Sequence, residues 1–207
     1  MIPGDPTGSP VFFYGNAAVL IDTHYLDLVS KEFGLRGEKH IDIKGLAVQM
    51  AKENNLWLTQ AFFYTCPPSQ SSKPTPDESE RKAKYDRFKA RIEKLDIVVR
   101  EGRLQKLRVE NNGDIVDKFT EKGVDTLFTI DLLRLYRTDI RNALLLTCDT
   151  DFVPAIKAAR EDGTKVVLYY YADEVKKSRF SLSRHLANVC DESVLITKKL
   201  MEQATLR

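Results

Sequence analysis

Residues 144–168 read LLLTCDTDFVPAIKAAREDGTKVVL. Leu144, Leu145 and Leu146 form an apolar run without polar alternation, the pattern of a strand buried on both faces. After the acidic triplet Asp149, Thr150, Asp151, the spacing predicts a helix over 152–162, ended by Gly163, and a second apolar strand over 165–170. Strand, helix and strand in immediate succession suit a parallel crossover, because parallel neighbours need a long covering connection. The same signal stands near the start of the chain, where AAVLI (17–21) is short, apolar and unalternating and runs directly into Asp22.

Working outward, Tyr25, Leu26, Leu28 and Val29 recur at helical spacing up to Phe33, and Gly34 offers a stop. A second helix is predicted over 42–54, and the aromatic run WLTQAFFY (57–64) reads as a strand. CPPSQSSKPTPDESE (66–80) is dense in proline and serine and reads as a loop. A charged helix over 80–95 then places Tyr85, Phe88, Ile92 and Leu95 on one stripe. Short strands follow at 97–100 and 107–110, with turns at Gly102 and at NNGD (111–114). A helix over 123–136 and a strand over 143–147 lead back to the opening stretch. A helix at 183–188, a strand at 194–196 and a C-terminal helix close the chain. Alternating strands and helices give the expected class: α/β, three layers α/β/α around a mostly parallel central sheet.

Forty-three per cent of the 207 residues are hydrophobic and 30% are charged, enough apolar material for one buried core, assigned to residues 11–207. Residues 1–10, with three prolines and two glycines, read as a flexible leader. The formal net charge is only +2, so no overwhelming field marks a nucleic-acid binder. Cys66, Cys148 and Cys190 are odd in number and widely spaced, which argues against a disulfide framework and a zinc knuckle. No apolar run approaches a membrane span and no secretion signal opens the chain, so a cytoplasmic protein with no membrane partner is expected.

Ligands of open parallel sheets bind beyond the carboxyl ends of the strands. If the strands ending at Asp22 and at Asp149 and Asp151 are parallel neighbours, three carboxylates share one crevice, and Asp125 stands near the start of another helix. Crowded carboxylates are kept ionised by a bound cation, and oxygen donors without clustered Cys or His favour Mg²⁺ or Mn²⁺. An aspartate between a strand and a helix also serves as a helix N-cap, which is the competing reading for Asp22, Asp149 and Asp151.

VLIDTHYLD (19–27), KGVDTLFTIDLLR (122–134) and the 144–168 segment resemble, in order and spacing, the three signature segments of the NYN domain family, LabA-like members of the PIN nuclease superfamily. The similarity extends over about residues 17–195 and includes AFFYTCPP (61–68). It implies a PIN-like, Rossmann-like fold and a metal-dependent ribonuclease in which Asp22, Asp125, Asp149 and Asp151 hold one or two Mg²⁺ or Mn²⁺ ions. Asp131 also matches a recurring family acid; it lies about 120° around the helix from Asp125 and is read as a supporting or structural group with a lesser claim on the metal. Lys122, Thr23 and Thr150 are the expected substrate contacts, and single-stranded RNA the expected substrate. Hydrolysis to a 5′-phosphate and a 3′-hydroxyl is expected by analogy.

Two departures mark this chain. Asp22-Thr23-His24-Tyr25 replaces the D-G-G-Y of many relatives, and Cys148 stands where a glycine precedes the acidic pair; neither removes an acid. Lys84, Arg87 and Arg91 on the charged helix, and Lys176, Lys177, Arg179 and Arg184 later, are the candidate phosphate-tracking cations. The rival function is a catalytically weak RNA-binding or regulatory module. A Mg²⁺-dependent phosphatase is disfavoured because its acidic pair would follow the first strand. The apolar VFFY (11–14) is a candidate edge cover or homodimer contact.

Overall fold

The computed structural model describes residues 15–35, 41–111, 114–172 and 183–204. Its elements run β1 (Asn16–Asp22), α1 (Thr23–Glu32), α2 (Ile43–Glu53), β2 (Trp57–Thr65), α3 (Pro76–Glu93), β3 (Ile97–Glu101), β4 (Arg103–Asn111), β5 (Asp114–Lys122), α4 (Val124–Arg134), β6 (Asn142–Leu146), α5 (Val153–Glu161), β7 (Lys165–Tyr170), α6 (Arg184–Ala187), β8 (Glu192–Leu195) and α7 (Lys198–Gln203). The central sheet has six strands in the order β3-β2-β1-β6-β7-β8, and every pairing is parallel.

The unalternating strands sit where their composition requires. Ala17, Val19 and Ile21 enter a core shared with α1, α2 and α7, while Ala18 and Leu20 enter a second core shared with α4, α5 and α6. Helices therefore cover both faces, as the strand compositions demand. All five residues of AAVLI are fully buried, and each of the three larger ones contributes about 1.5–3 kcal/mol of transfer free energy against the entropy of ordering it.

Two regions differ from the sequence expectation. Helix α3 begins at Pro76 rather than near residue 80, inside the segment read as loop. Thr75 accepts from the Glu78 N–H, the Glu78 side chain accepts from the Thr75 N–H, and Pro76 takes the first helical position, where a missing N–H costs nothing. At the other end Leu95 lies past the last turn and is exposed, so the apolar stripe stops at Ile92.

The larger difference is a hairpin. Strand β4 starts at Arg103, well before 107, and β5 fills a stretch for which no strand was expected; they pair antiparallel as a separate two-stranded sheet, Arg103 opposite Lys122. The hairpin leaves from the end of β3 and returns to the start of α4. Gly102 makes this junction possible: a Cβ there would stand 2.5 Å from Val124 Cγ2 and 2.7 Å from the Lys122 carbonyl oxygen. Gly123 adopts φ +86°, a left-handed conformation that favours glycine. The last strand, β8, begins two residues before the expected 194. The VFFY segment and Lys176, Lys177 and Arg179 lie outside the described residues.

Candidate active site

The chain builds outward from β1 in one direction through β2 and β3, and in the other through β6, β7 and β8, so the topological switch point falls between β1 and β6. Ile21 pairs with Leu146, which brings Asp22 and the residues after Leu146 out together at the carboxyl edge. That is where open α/β sheets bind ligands.

Asp22 is the N-cap of α1. Its Oδ1 accepts from the N–H groups of His24 at 2.9 Å and Tyr25 at 3.2 Å, and its Oδ2 accepts from the Thr147 hydroxyl at 3.1 Å. A carboxylate offers about four lone-pair directions, so Oδ2 retains one for a further donor or cation. Burial pushes this carboxyl above the usual aspartate range, against the lowering effect of the Tyr25, Thr147 and His24 contacts.

Thr147 carries more of the site than its sequence position suggests. Fully buried at the end of β6, it donates to Asp22 Oδ2 and accepts from the Asp149 N–H at 3.2 Å. One hydroxyl thus ties the acids of two strands together. Asp149 in turn accepts the Asp151 N–H at 2.9 Å through Oδ1, shaping the short 3₁₀ turn Thr150–Phe152 that leads into α5. The expected capping role is therefore present at Asp22 and Asp149. It occupies Oδ1 of each.

Asp125 sits in the first turn of α4, exposed, and its carboxyl is pushed up by burial and then by the charges of Asp149 and Asp151. The charges of Asp149 and Asp151 therefore reach Asp125. Beside them the Cys148 thiol is pushed up to about 11 by burial, with Asp22 and Asp149 adding to it, so it stays a neutral thiol. The available donors are carboxylate oxygens, which suit a hard cation that keeps several of its waters. Among the described residues, no group of three His, Cys, Asp or Glu side chains is arranged so that it could hold a metal ion as it stands.

Asp131 is placed elsewhere. It is 5% exposed, and Arg100 Nε and Nη2 grip its two oxygens at 2.7 and 2.8 Å while the Tyr64 hydroxyl donates to Oδ2 at 3.2 Å. Arg100 also lies over the Phe62 ring, 5.8 Å from its centroid. With both oxygens engaged by these groups, Asp131 ties α4 to β2 and β3 rather than facing the acids, a pairing that residue spacing alone did not disclose. The Thr23 hydroxyl donates to the Tyr64 carbonyl and fastens α1 to β2, so its proton is committed within the fold. Lys122 ends β5 and Thr150 opens the 3₁₀ turn, both exposed.

A cavity of about 330 Å³ opens on the β2 side of Asp22. Thr23 and His24 border it from α1, and Arg81, Lys84, Tyr85 and Phe88 from α3. Of the cations expected on α3, Lys84 faces this space, whereas Arg91 lies over the Phe88 ring, 5.4 Å from its centroid. Arg81 was missed; its spacing of three, four and seven residues from Lys84, Tyr85 and Phe88 is the signal that places all four on one helix face. Arg184 is exposed on α6.

Comparison with known proteins gives one family match: the NYN domain model covers residues 16–197. No significant match occurs among curated proteins or among solved structures. No helix among the described residues is long and apolar enough to cross a membrane.

Proposed function

This chain belongs to the NYN domain family of the PIN-like nuclease superfamily, a nuclease-like and RNA-related family, and from that premise we propose that it is a Mg²⁺- or Mn²⁺-dependent ribonuclease. The observation that carries the reading is that the β1–β6 register brings Asp22 out beside the Asp149–Asp151 turn at the switch point, with the Thr147 hydroxyl bonded to both the Asp22 carboxylate and the Asp149 N–H. Acids held this close are stabilised in their ionised form by a cation.

In this reading Asp22, Asp125, Asp149 and Asp151 would hold the metal, which when bound would supply positive charge at the phosphate and lower the pKa of a water. Thr147 fixes Asp22 and Asp149 relative to each other. Asp149 or Asp151 accepts a hydrogen bond from the attacking water and aims its oxygen at phosphorus. The new P–O bond forms as the bond to the 3′ oxygen breaks, and a proton goes to that oxygen, leaving a 5′-phosphate and a 3′-hydroxyl. Lys122, three residues before Asp125, is the cation nearest in sequence to the developing phosphoryl charge. Asp131 stays with Arg100 and maintains the packing of α4.

A second reading, an RNA-binding module without turnover, is favoured by one specific observation: Oδ1 of both Asp22 and Asp149 is already engaged by backbone N–H groups, two at Asp22 and one at Asp149. Labelled RNA incubated with Mn²⁺, Mg²⁺ or EDTA separates the two. Cleavage that requires metal and disappears in a folded Asp149→Asn variant supports the nuclease; binding without cleavage under any of these metals supports the module.

A further inference from the structure

The cavity beside Asp22 has a construction that metal binding does not explain. Four residues of α3, Arg81, Lys84, Tyr85 and Phe88, line it from one helix face, with the cations exposed on the helix surface and the aromatic rings more deeply set. Tyr85 is held in place by its hydroxyl, which donates to Glu101 at 2.8 Å, and the Phe88 ring packs against Phe63 with centroids 5.7 Å apart. These contacts anchor the two rings against β3 and β2. At the cavity rim, among the described residues, the cations pair within their own helix: Arg81 with Asp77 at 3.2 Å and Lys84 with Glu80 at 2.6 Å, all four side chains more than half exposed. Exposed pairs of this kind contribute little and yield readily to a stronger anion such as phosphate.

Asp22 lines the cavity as well, so the space borders the first of the candidate acids. Its volume of about 330 Å³ lies at the small end of ligand sites. One unpaired nucleotide fits that size, whereas a base pair does not. Glu121 also lines the space and offers a carboxylate acceptor suited to the amino group of a base.

We propose that this cavity is the subsite for one unpaired nucleotide of a single RNA strand adjoining the cleaved phosphate, with Arg81 and Lys84 holding the neighbouring backbone phosphate. The proposal rests on the nuclease reading for its orientation relative to the cut, and it makes the cavity the feature that selects single strands over duplex.

The test measures binding in EDTA, independent of turnover, using a short labelled single-stranded RNA and its duplex. The protein is compared with Arg81→Glu/Lys84→Glu and with a charge-matched control, Arg141→Glu/Lys165→Glu, at the amino edge of the sheet. The expected result is preference for the single strand, weakened about tenfold or more by the α3 pair, with a salt dependence shallower by about 0.7 in log–log slope for the one phosphate no longer neutralised. The milder Arg81→Gln/Lys84→Gln pair gives the same ordering. An α3 variant that binds the single strand as the control does, or a protein that binds single strand and duplex alike or neither, overturns the subsite. Binding that follows the expected pattern in a protein that never cuts RNA removes the nuclease reading and leaves the subsite standing. Metal-dependent cutting with unchanged KM in the α3 variant removes the subsite alone.

Discussion

Thr147→Val is the most informative change in the site, because it keeps the shape of a fully buried side chain and deletes one hydroxyl. That hydroxyl makes two contacts, donating to the Asp22 carboxylate at 3.1 Å and accepting from the Asp149 N–H at 3.2 Å. A hydrogen bond to a charged group contributes about 1.5–3 kcal/mol and a neutral one about 1 kcal/mol. Asp22 and Asp149 are both partly open to water, which recovers some of this, so the expected loss is about 2 kcal/mol. In urea that moves the unfolding midpoint by about 1 M for a slope near 2 kcal/mol/M. Thr147→Ser keeps both contacts and deletes a buried methyl, an expected loss of about 1 kcal/mol. The order of stability is therefore wild type, Ser, Val, and metal-dependent cleavage should follow the hydroxyl, retained in Ser and impaired in Val. A Val variant as stable as the wild type, or more stable than Ser, would refute the bridging role.

Arg100→Met strands the buried Asp131 carboxylate. Because Arg100 is itself 36% exposed, the expected loss is near the low end of the range for broken buried pairs, about 3 kcal/mol, with cleavage per folded molecule unchanged. A selective loss of metal binding would instead place Asp131 in the site. Gly102→Ala forces a Cβ against Val124 and the Lys122 carbonyl and should cost about 1–3 kcal/mol in thermal or urea unfolding; an unchanged midpoint would mean that the hairpin junction gives way freely. The pH dependence has a definite sign. Asp22 is raised by burial, and Asp125 by burial and its acidic neighbours, so their ionisation opposes folding. In the metal-free protein their contribution to stability is fully present below the ordinary aspartate range and is lost as pH rises through the raised values, while Mn²⁺ affinity strengthens over the same rise and then levels. Calorimetric titrations across weakly acidic to neutral pH that show a flat affinity would contradict this.

The layers and the acids' edge were legible because β1 and β6 are so purely apolar. Runs such as AAVLI and LLL admit few roles except central strands, and parallel neighbours then deliver Asp22 and Asp149 to one place. The hairpin was not legible because β5 lies outside the main sheet and its residues Phe119 and Glu121 are exposed, so no core imposed a recognisable apolar pattern on it. The start of α3 was written in the sequence as Thr75-Pro76-Asp77-Glu78, a capping box hidden by the surrounding serines and prolines. The Arg100 partner of Asp131 and the role of Thr147 escaped for a different reason. The two residues depend on Arg100, 31 residues distant, and on Asp22, 125 residues distant, and no local spacing reports such partners.

Diffraction from a crystal soaked in Mn²⁺, recorded for its anomalous signal, tests the central claim most directly. The account expects density in the crevice between Asp22, Asp125 and Asp149, with carboxylate oxygens about 2.1 Å from the ion, and loss of that density in Asp149→Asn. A crevice without the ion, in a protein that still cuts RNA in EDTA, would show that these acids are not a metal site.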